Sequence, residues 1–401
     1  MKDKTKILWI GDGGCATGFA RVNHSIISNL PERFEVHHLA LNYMGDPYPG
    51  ATHAMYPAIL GGDYLGVRRI QKLIETVKPD LIFILNDPWV VYEYLKVIQK
   101  DKKVIVYMPI DAKPIDMEWV LGIAPVNQMV AYTEFGKSAF MDQIPLLGNK
   151  MQVIPHGTDT SIFQPMDMIE ARKSVGLPED NFIIFNGNRN QPRKRLDLTL
   201  KGFAKFAEDK EDVYLYLHTG IEDAGWNIIK LAHNYGIGKK IIITSKDVSP
   251  QNYVSDELLN KIYNAANVGL NTSMGEGWGL VSVEQACCKR AQIVPNSSAC
   301  AEIFPEGRGL RIDINTYAPH LNILTEGAIV SVESIAEKLD EYYYDRELMK
   351  EHAENAYDFF TDKSMTWENI TNKYWIPLFD RVIKESPRPL EMEKEGTNYV
   401  I

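Results

Sequence analysis

The chain of 401 residues has nothing that approaches the ~20 consecutive apolar residues a membrane span needs. Its first residues, Met1-Lys-Asp-Lys-Thr-Lys, lead into only a short apolar run at 7–10, too short for the core of a signal peptide. A cytoplasmic protein is the expectation. Cysteine is scarce. Cys15, Cys287, Cys288 and Cys300 match neither a disulfide framework nor a zinc site, so small buried thiols are expected. Positive charge is in deficit, with 43 Lys and Arg against 53 Asp and Glu, a net charge of −10. That excludes a general electrostatic pull toward nucleic acid or anionic lipid, although a local basic cleft inside an acidic envelope stays open. The acidic residues lack metal-ligand spacing, and no metal is expected. With 45% hydrophobic and 24% charged residues, collagen, coiled coil and disordered chain are all excluded.

What the sequence does have is alternation. Short apolar runs at 6–10, 34–41, 81–85, 104–108, 128–132 and 151–154 are separated by helical patterns such as 19–30, 65–77 and 90–99. The series resumes at 182–186, 213–218, 240–244, 268–271, 292–294 and, more weakly, 309–312, with helical patterns such as 198–208 and 256–265 between. This is how parallel sheets with crossover helices read. The length is too great for one core, and a polar stretch rich in Pro and Gly at 156–178 divides the two arrays. Two doubly wound α/β domains are expected, 1–165 and 166–365, with a ligand in the crevice at the carboxyl ends of their strands. From 332 onward helical patterns take over. The stretch 367–383 carries an apolar stripe of Trp367, Ile370, Tyr374, Trp375, Leu378, Phe379 and Val382, which needs a hydrophobic surface to cover. The polar end, 386–401, reads as a loose tail.

Three constellations carry chemistry. Met274-Gly-Glu-Gly-Trp-Gly-Leu-Val-Ser-Val-Glu-Gln-Ala286 follows a strand and opens a helix at about Leu280. Such a turn exposes amides at the positive end of a helix, a site for phosphate or developing negative charge. Glu276 in the loop can accept hydrogen bonds from sugar hydroxyls. Glu284, about one turn into the helix, is placed for a pair of ribose hydroxyls. Read as glutamates alone, they are equally a solvated loop residue and an outward-facing helix residue. The second constellation, Phe185-Asn-Gly-Asn-Arg-Asn-Gln-Pro-Arg-Lys-Arg-Leu-Asp197, puts Arg189, Arg193, Lys194 and Arg195 at a strand end. Arg189 can grip phosphate with its fork, and Lys194 can act as a point charge. A charge run can also be only a solvated face. The third, Gly11-Asp-Gly-Gly-Cys-Ala-Thr-Gly18, meets a loose dinucleotide spacing. However, the second strand ends in Leu39-Ala-Leu-Asn-Tyr43, without the acidic residue a nicotinamide ribose needs. This loop suits close approach of a ligand to the backbone, or is a tight structural turn.

Together these residues resemble the retaining GT-B glycosyltransferases of family 4 (glycosyl transferases group 1). The stretch 276–286 is similar to that family's E-x7-E motif, and Arg189 and Lys194 stand at the spacing of its diphosphate-gripping pair. His156-Gly-Thr-Asp-Thr-Ser-Ile-Phe-Gln-Pro165 resembles its interdomain segment. Val77-Lys-Pro-Asp-Leu-Ile82, Tyr132-Thr-Glu-Phe135 and Cys300-Ala-Glu-Ile303 follow in family order, so the likeness covers roughly 6–385.

The resemblance implies two Rossmann-like domains facing a cleft, the first on the acceptor side and the second holding the nucleotide sugar, with a helix at about 366–385 crossing back. It implies Glu284 on the donor ribose, Glu276 near the transferred sugar, and Arg189 and Lys194 on the diphosphate. The amides of Gly277, Trp278, Gly279 and Leu280 would face sugar and phosphate, and Gly13 and Gly14 would close the site from the other domain. It implies no cofactor, a UDP-sugar or GDP-sugar donor, and front-side displacement that needs no enzyme nucleophile. The acceptor is open: glycan, lipid-linked sugar, small molecule, protein or modified nucleic acid. Two departures stand out. Tyr107-Met-Pro-Ile-Asp-Ala-Lys113 lacks the histidine the family often places near the reacting sugar, which leaves Asp111 as its candidate replacement. Lys289-Arg290 replace small residues before the next strand. An epimerase or phosphorylase of the same fold, a dinucleotide-dependent oxidoreductase and a non-catalytic sugar-nucleotide binder are the rival readings.

Overall fold

Most strands of the two parallel sheets are short runs of aliphatic and aromatic residues buried on both faces, as a parallel sheet covered by helices requires. The computed structural model describes residues 4–48, 51–221, 223–244, 249, 252–321 and 323–387, with the backbone of 393–395 and 398–400. The chain forms two units. One comprises Met1–Ile110, Pro114–Gly157 and Trp367–Ile401, and the other Asp111–Lys113 and Thr158–Thr366.

The first unit alternates β1 (Thr5–Asp12), α1 (Gly18–Ser28), β2 (Phe34–Leu41), β3 (Ala54–Pro57), α2 (Val67–Val77), β4 (Leu81–Leu85), α3 (Pro88–Val97), β5 (Val104–Met108), α4 (Met117–Ile123), β6 (Gln128–Ala131), α5 (Glu134–Gln143) and β7 (Met151–Val153). Its strands lie in the order β3-β2-β1-β4-β5-β6-β7, every pair parallel. The order reverses between β1 and β4, so the loops after these strands diverge at the carboxyl edge. Gly13 and Gly14 follow β1 there. A Cβ on Gly13 would stand 2.7 Å from the Ala40 Cβ, and one on Gly14 2.7 Å from Tyr43, so both glycines pack directly on β2 and the residues after it.

The second unit contains α6 (Met168–Val175), β8 (Phe182–Asn186), α7 (Leu196–Phe206), β9 (Val213–Leu217), α8 (Ile228–Asn234), β10 (Ile241–Ile243), α9 (Asp256–Ala265), β11 (Val268–Leu270), α10 (Leu280–Cys287), β12 (Ala291–Pro295), α11 (Ser298–Ile303) and β13 (Leu310–Ile312). These strands run parallel in the order β10-β9-β8-β11-β12-β13. An antiparallel hairpin, β14 (Ile314–Pro319) and β15 (Glu326–Val330), precedes α12 (Val332–Tyr344) and α13 (Arg346–Thr361). This hairpin is fastened to two other segments. The Glu326 amide donates to the Lys113 carbonyl at 2.8 Å and the Ala328 amide to the Met274 carbonyl at 2.7 Å.

The last helical stretch belongs to the first unit. It runs as α14 (Trp367–Ile370), one π turn (Thr371–Trp375) and α15 (Ile376–Val382). Pro377 has no amide hydrogen to give the turn before it, which accounts for the wider turn there. Its apolar stripe meets the first sheet: Trp375 lies 5.3 Å from Phe83 and 4.7 Å from Tyr107, and Phe379 6.3 Å from Trp9, centroid to centroid. Half of the expected loose tail falls outside the described residues; of the rest, a short antiparallel pair, Glu393–Glu395 with Asn398–Val400, is described in its backbone. All four cysteines are buried free thiols, and burial pushes Cys15 up to about 11 and Cys287 to about 12.

Histidines of the first unit make its stability depend on pH. His156 is enclosed by Tyr132 at 4.2 Å and by Tyr107 and Trp367 at 5.6 Å, and burial lowers its pKa to about 3. An unfolded histidine titrates near ~6.5. The folded value lies below the unfolded one, so this contribution is complete above ~6.5 and is lost as pH falls toward 3. Urea denaturation should show about 2 kcal/mol of stability lost through His156 between pH 6.5 and 5, and His156→Phe should flatten that slope.

Candidate active site

The basic run does not continue as a helix, because Pro192 opens a single 3₁₀ turn, Pro192–Lys194, and Arg195 takes left-handed backbone at φ 48° before α7 begins. The turn is held against the segment after β11. The Met274 amide donates to the Arg193 carbonyl at 2.7 Å, and Thr272 Oγ1 to the carbonyls of Lys194 and Arg195 at 3.1 and 3.0 Å. Lys194 is thereby turned inward and is 8% exposed.

Glu276 reaches the same point from the other side. Its Oε1 lies 2.5 Å from Lys194 Nζ and also accepts from Ser273 Oγ at 2.8 Å and Asn271 Nδ2 at 3.3 Å. Arg193 Nη1 stands 3.9 Å from Glu276 Oε2, 3.4 Å from Asp111 Oδ2 and 3.1 Å from the Gly275 carbonyl. Burial works against the carboxylate charge, yet Lys194, Arg193 and the Ser273 hydroxyl override it and hold Glu276 down to about 2. Burial and then Arg193 lower the Lys194 ammonium, opposed by Glu276. Glu276 is therefore ionised at neutral pH in a nearly dry setting, where its ion pair is at its strongest.

Backbone constraints fix this geometry. A Cβ on Gly275 would stand 1.9 Å from the Asp111 carbonyl oxygen, a backbone atom that cannot swing aside. Gly275→Ala should therefore cost about 3 kcal/mol and lower Tm measurably, more than an exposed glycine-to-alanine change. Gly279 caps α10 in the left-handed region at φ 87°, and the chain then enters the helix at Leu280, as the sequence predicts. Gly277, Trp278 and Gly279 lead into the positive end of α10 at Leu280. Trp278 is itself buried. Glu284, 9% exposed, lies on the same helix, and its Oε2 accepts from the Tyr263 hydroxyl of α9 at 2.8 Å.

Of the expected site residues, Lys194, Glu276 and, through Arg193, Asp111 meet in one cluster of ion pairs. Glu284 and the 277–280 turn are held by the helix that follows it. Arg189 takes a different partner: its Nε and Nη2 meet Asp223 Oδ2 and Oδ1 at 3.1 and 3.2 Å. Gly13 and Gly14 belong to the other unit. Sequence reasoning did not assign Arg193, Ser273, Asn271, Tyr263 or Asp223. Arg193 carried a signal, since it adjoins Lys194 in the basic run. Asp223 and Tyr263 carried none, because their partners lie far along the chain.

Residues 167–359 match the family model of glycosyl transferases group 1. A protein of Thermosipho melanesiensis named a probable sucrose-phosphate synthase is 25% identical over 275 residues, 66% of this chain and 56% of its own length. A D-inositol 3-phosphate glycosyltransferase of Geodermatophilus obscurus is 30% identical over 175 residues, 41% of this chain and 37% of its own. The chain thus matches only 37–56% of the length of these relatives. Among solved structures, HepE of Anabaena in complex with UDP and glucose is similar at a TM-score of 0.72 and 15% identity, covering 94% of this chain and 100% of that one. Sucrose-phosphate synthase of Thermosynechococcus elongatus is similar at 0.73 with the same identity and coverage. These two likenesses concern the fold, which is GT-B with two Rossmann-like parallel sheets. The match to glycosyl transferases group 1 over 167–359 spans the Lys194–Glu276 cluster and Glu284.

Proposed function

We propose that the protein is a retaining glycosyltransferase that moves a sugar from a nucleoside-diphosphate donor to an acceptor hydroxyl. The observation that carries this reading is the buried Lys194–Glu276 pair, 2.5 Å apart, with Arg193 beside it and the N-terminus of α10 at the end of the same loop. Cations and helix-end amides fixed in advance of the reaction suit a step in which negative charge develops on a departing diphosphate. Arg189 and Lys194 take the diphosphate in this scheme, Glu284 the ribose hydroxyls, and Glu276 a hydroxyl of the transferred sugar. The acceptor proton passes to the leaving diphosphate while the new glycosidic bond forms on the face the diphosphate leaves. Asp111, paired to Arg193, faces the reacting sugar in place of a histidine. Gly13 and Gly14 serve from the first unit, the acceptor side. The donor is a UDP-sugar or a GDP-sugar, and the UDP and glucose in the HepE structure favour the former.

The test is thermal denaturation with UDP, GDP, ADP, their sugar conjugates and NAD, run beside Glu284→Ala and Lys194→Ala. A ligand at a hundred times its Kd adds about 2.7 kcal/mol, or roughly 2–4 °C for a domain of this size. One nucleoside diphosphate should shift the wild type and neither variant. A shift with NAD alone would sink the reading in favour of an oxidoreductase.

A further inference from the structure

The loop after β9 is strapped to the loop after β8 by a single buried side chain. Asn190 is fully buried. Its Oδ1 accepts from the Trp226 amide at 3.0 Å, and its Nδ2 donates to the carbonyls of Ile221 at 3.2 Å and Trp226 at 2.7 Å. Its own carbonyl accepts from the Gly225 amide at 2.8 Å. A further contact joins the two loops, the Arg195 guanidinium 5.8 Å from the Trp226 ring. This strapping brings Asp223 opposite Arg189. The Asp223 carboxylate is anchored by the Ala224 amide at 2.8 Å, and its side chain is 21% exposed against 47% for Arg189.

The pairing uses one edge of the guanidinium. Asp223 engages Nε and Nη2, so two of the five N–H donors are taken, while Nη1 and the second Nη2 hydrogen point along the other edge. A free arginine on a half-exposed loop would sample many rotamers and lose that freedom on binding an anion. Here the loss is already met in the folded chain. We propose that Asp223 is the positioning residue of Arg189: it fixes the guanidinium by its Nε–Nη2 edge so that the Nη1 edge is presented to the diphosphate of the nucleotide donor. The inference rests on the diphosphate role proposed above for Arg189. It adds a residue from a separate loop, together with a reason for the strap that holds this loop. The alternative, a carboxylate that merely competes with the diphosphate for Arg189, predicts the opposite sign.

The experiment is calorimetric titration of the full chain with UDP, GDP and ADP and with uridine, guanosine and adenosine, on wild type, Asp223→Asn, Arg189→Lys and the double variant. Asp223→Asn keeps shape and one acceptor, and its thermal midpoint shows that it is folded. Expected is a loss of about tenfold in affinity for the nucleoside diphosphate that binds, with nucleoside binding unchanged. The double variant should bind no more weakly than Arg189→Lys, because lysine has no second edge to orient. Unchanged or tighter diphosphate binding by Asp223→Asn overturns the proposal, as does an equal loss for the nucleoside, which marks a collapsed loop. If Arg189→Lys weakens diphosphate binding while Asp223→Asn does not, this inference alone fails. If the wild type binds a diphosphate and Arg189→Lys leaves that affinity untouched, or if no diphosphate binds at all, the functional reading beneath it fails too.

Discussion

Lys194→Ala is expected to lower kcat/KM for sugar transfer about 10²–10³-fold, the usual cost of removing one preorganised group that faces developing charge. The same change strands Glu276. Its Oε1 loses the partner at 2.5 Å and keeps Ser273 and Asn271, while Oε2 keeps the more distant Arg193. An anion left in so buried a place costs about 3 kcal/mol, and burial, no longer overridden, drives the carboxyl up from about 2 toward the neutral form. Stability and activity can be separated. Lys194→Ala with Glu276→Gln removes both charges, so it should recover most of the stability and none of the activity. Urea denaturation and initial rates on the two singles and the double measure this directly. Recovery of activity together with stability would falsify the role of Lys194 in leaving-group departure and leave it a structural counter-ion.

Much of the fold is legible in the sequence because both sheets are parallel and buried on two faces, so their strands read as plain apolar runs such as 81–85 and 104–108. The elements that escape are those with other rules. β3 is an edge strand that pairs with β2 alone and ends in Pro57, and its half-exposed side chains give no apolar run. The β14–β15 hairpin presents Tyr317, 54% exposed, and its polar first strand reads as a loop. The stretch 367–383 reads as one amphipathic helix; its stripe is real, with Trp375, Phe379 and Val382 buried, but Pro377 interrupts the ladder with a π turn that periodicity does not register.

For the site, residue type and spacing single out Glu276, Glu284 and Lys194, whereas contact between Lys194 and Glu276, so far apart in the chain, follows only from the pairing of β8 with β11. The basic run shows the limit of spacing. Lys194 and Arg193 turn toward Glu276 and Arg189 toward Asp223 because a proline-led turn and a left-handed Arg195 send successive side chains different ways. Asp111 is a comparable case. It lies in the first half of the chain, yet packs with the second unit, where Gly275 lies against its carbonyl and Arg193 meets its carboxylate.

Glu284→Ala should weaken donor binding about 10–100-fold, the worth of a bidentate pair of charge-assisted hydrogen bonds, with kcat changed much less. The carboxylate sits on α10 with Oε2 engaged by Tyr263, a contact that fixes the rotamer. Removing the glutamate also leaves the buried Tyr263 hydroxyl without that partner, at about 1–3 kcal/mol of stability. Loss of affinity alone would therefore not distinguish a ribose contact from a loosened helix. A donor analogue makes the distinction. The 2′-deoxy form of the nucleoside diphosphate removes one hydroxyl from the ligand, and it should bind the wild type about tenfold more weakly than the ribose form. With Glu284→Ala the two ligands should bind equally, because the group that tells them apart is gone. Tyr263→Phe, which keeps the glutamate and frees its rotamer, should retain most of the discrimination at lower overall affinity. If the 2′-deoxy penalty and the Glu284→Ala penalty simply add, the carboxylate does not touch the ribose, and its role is confined to contacts within the protein such as that with Tyr263.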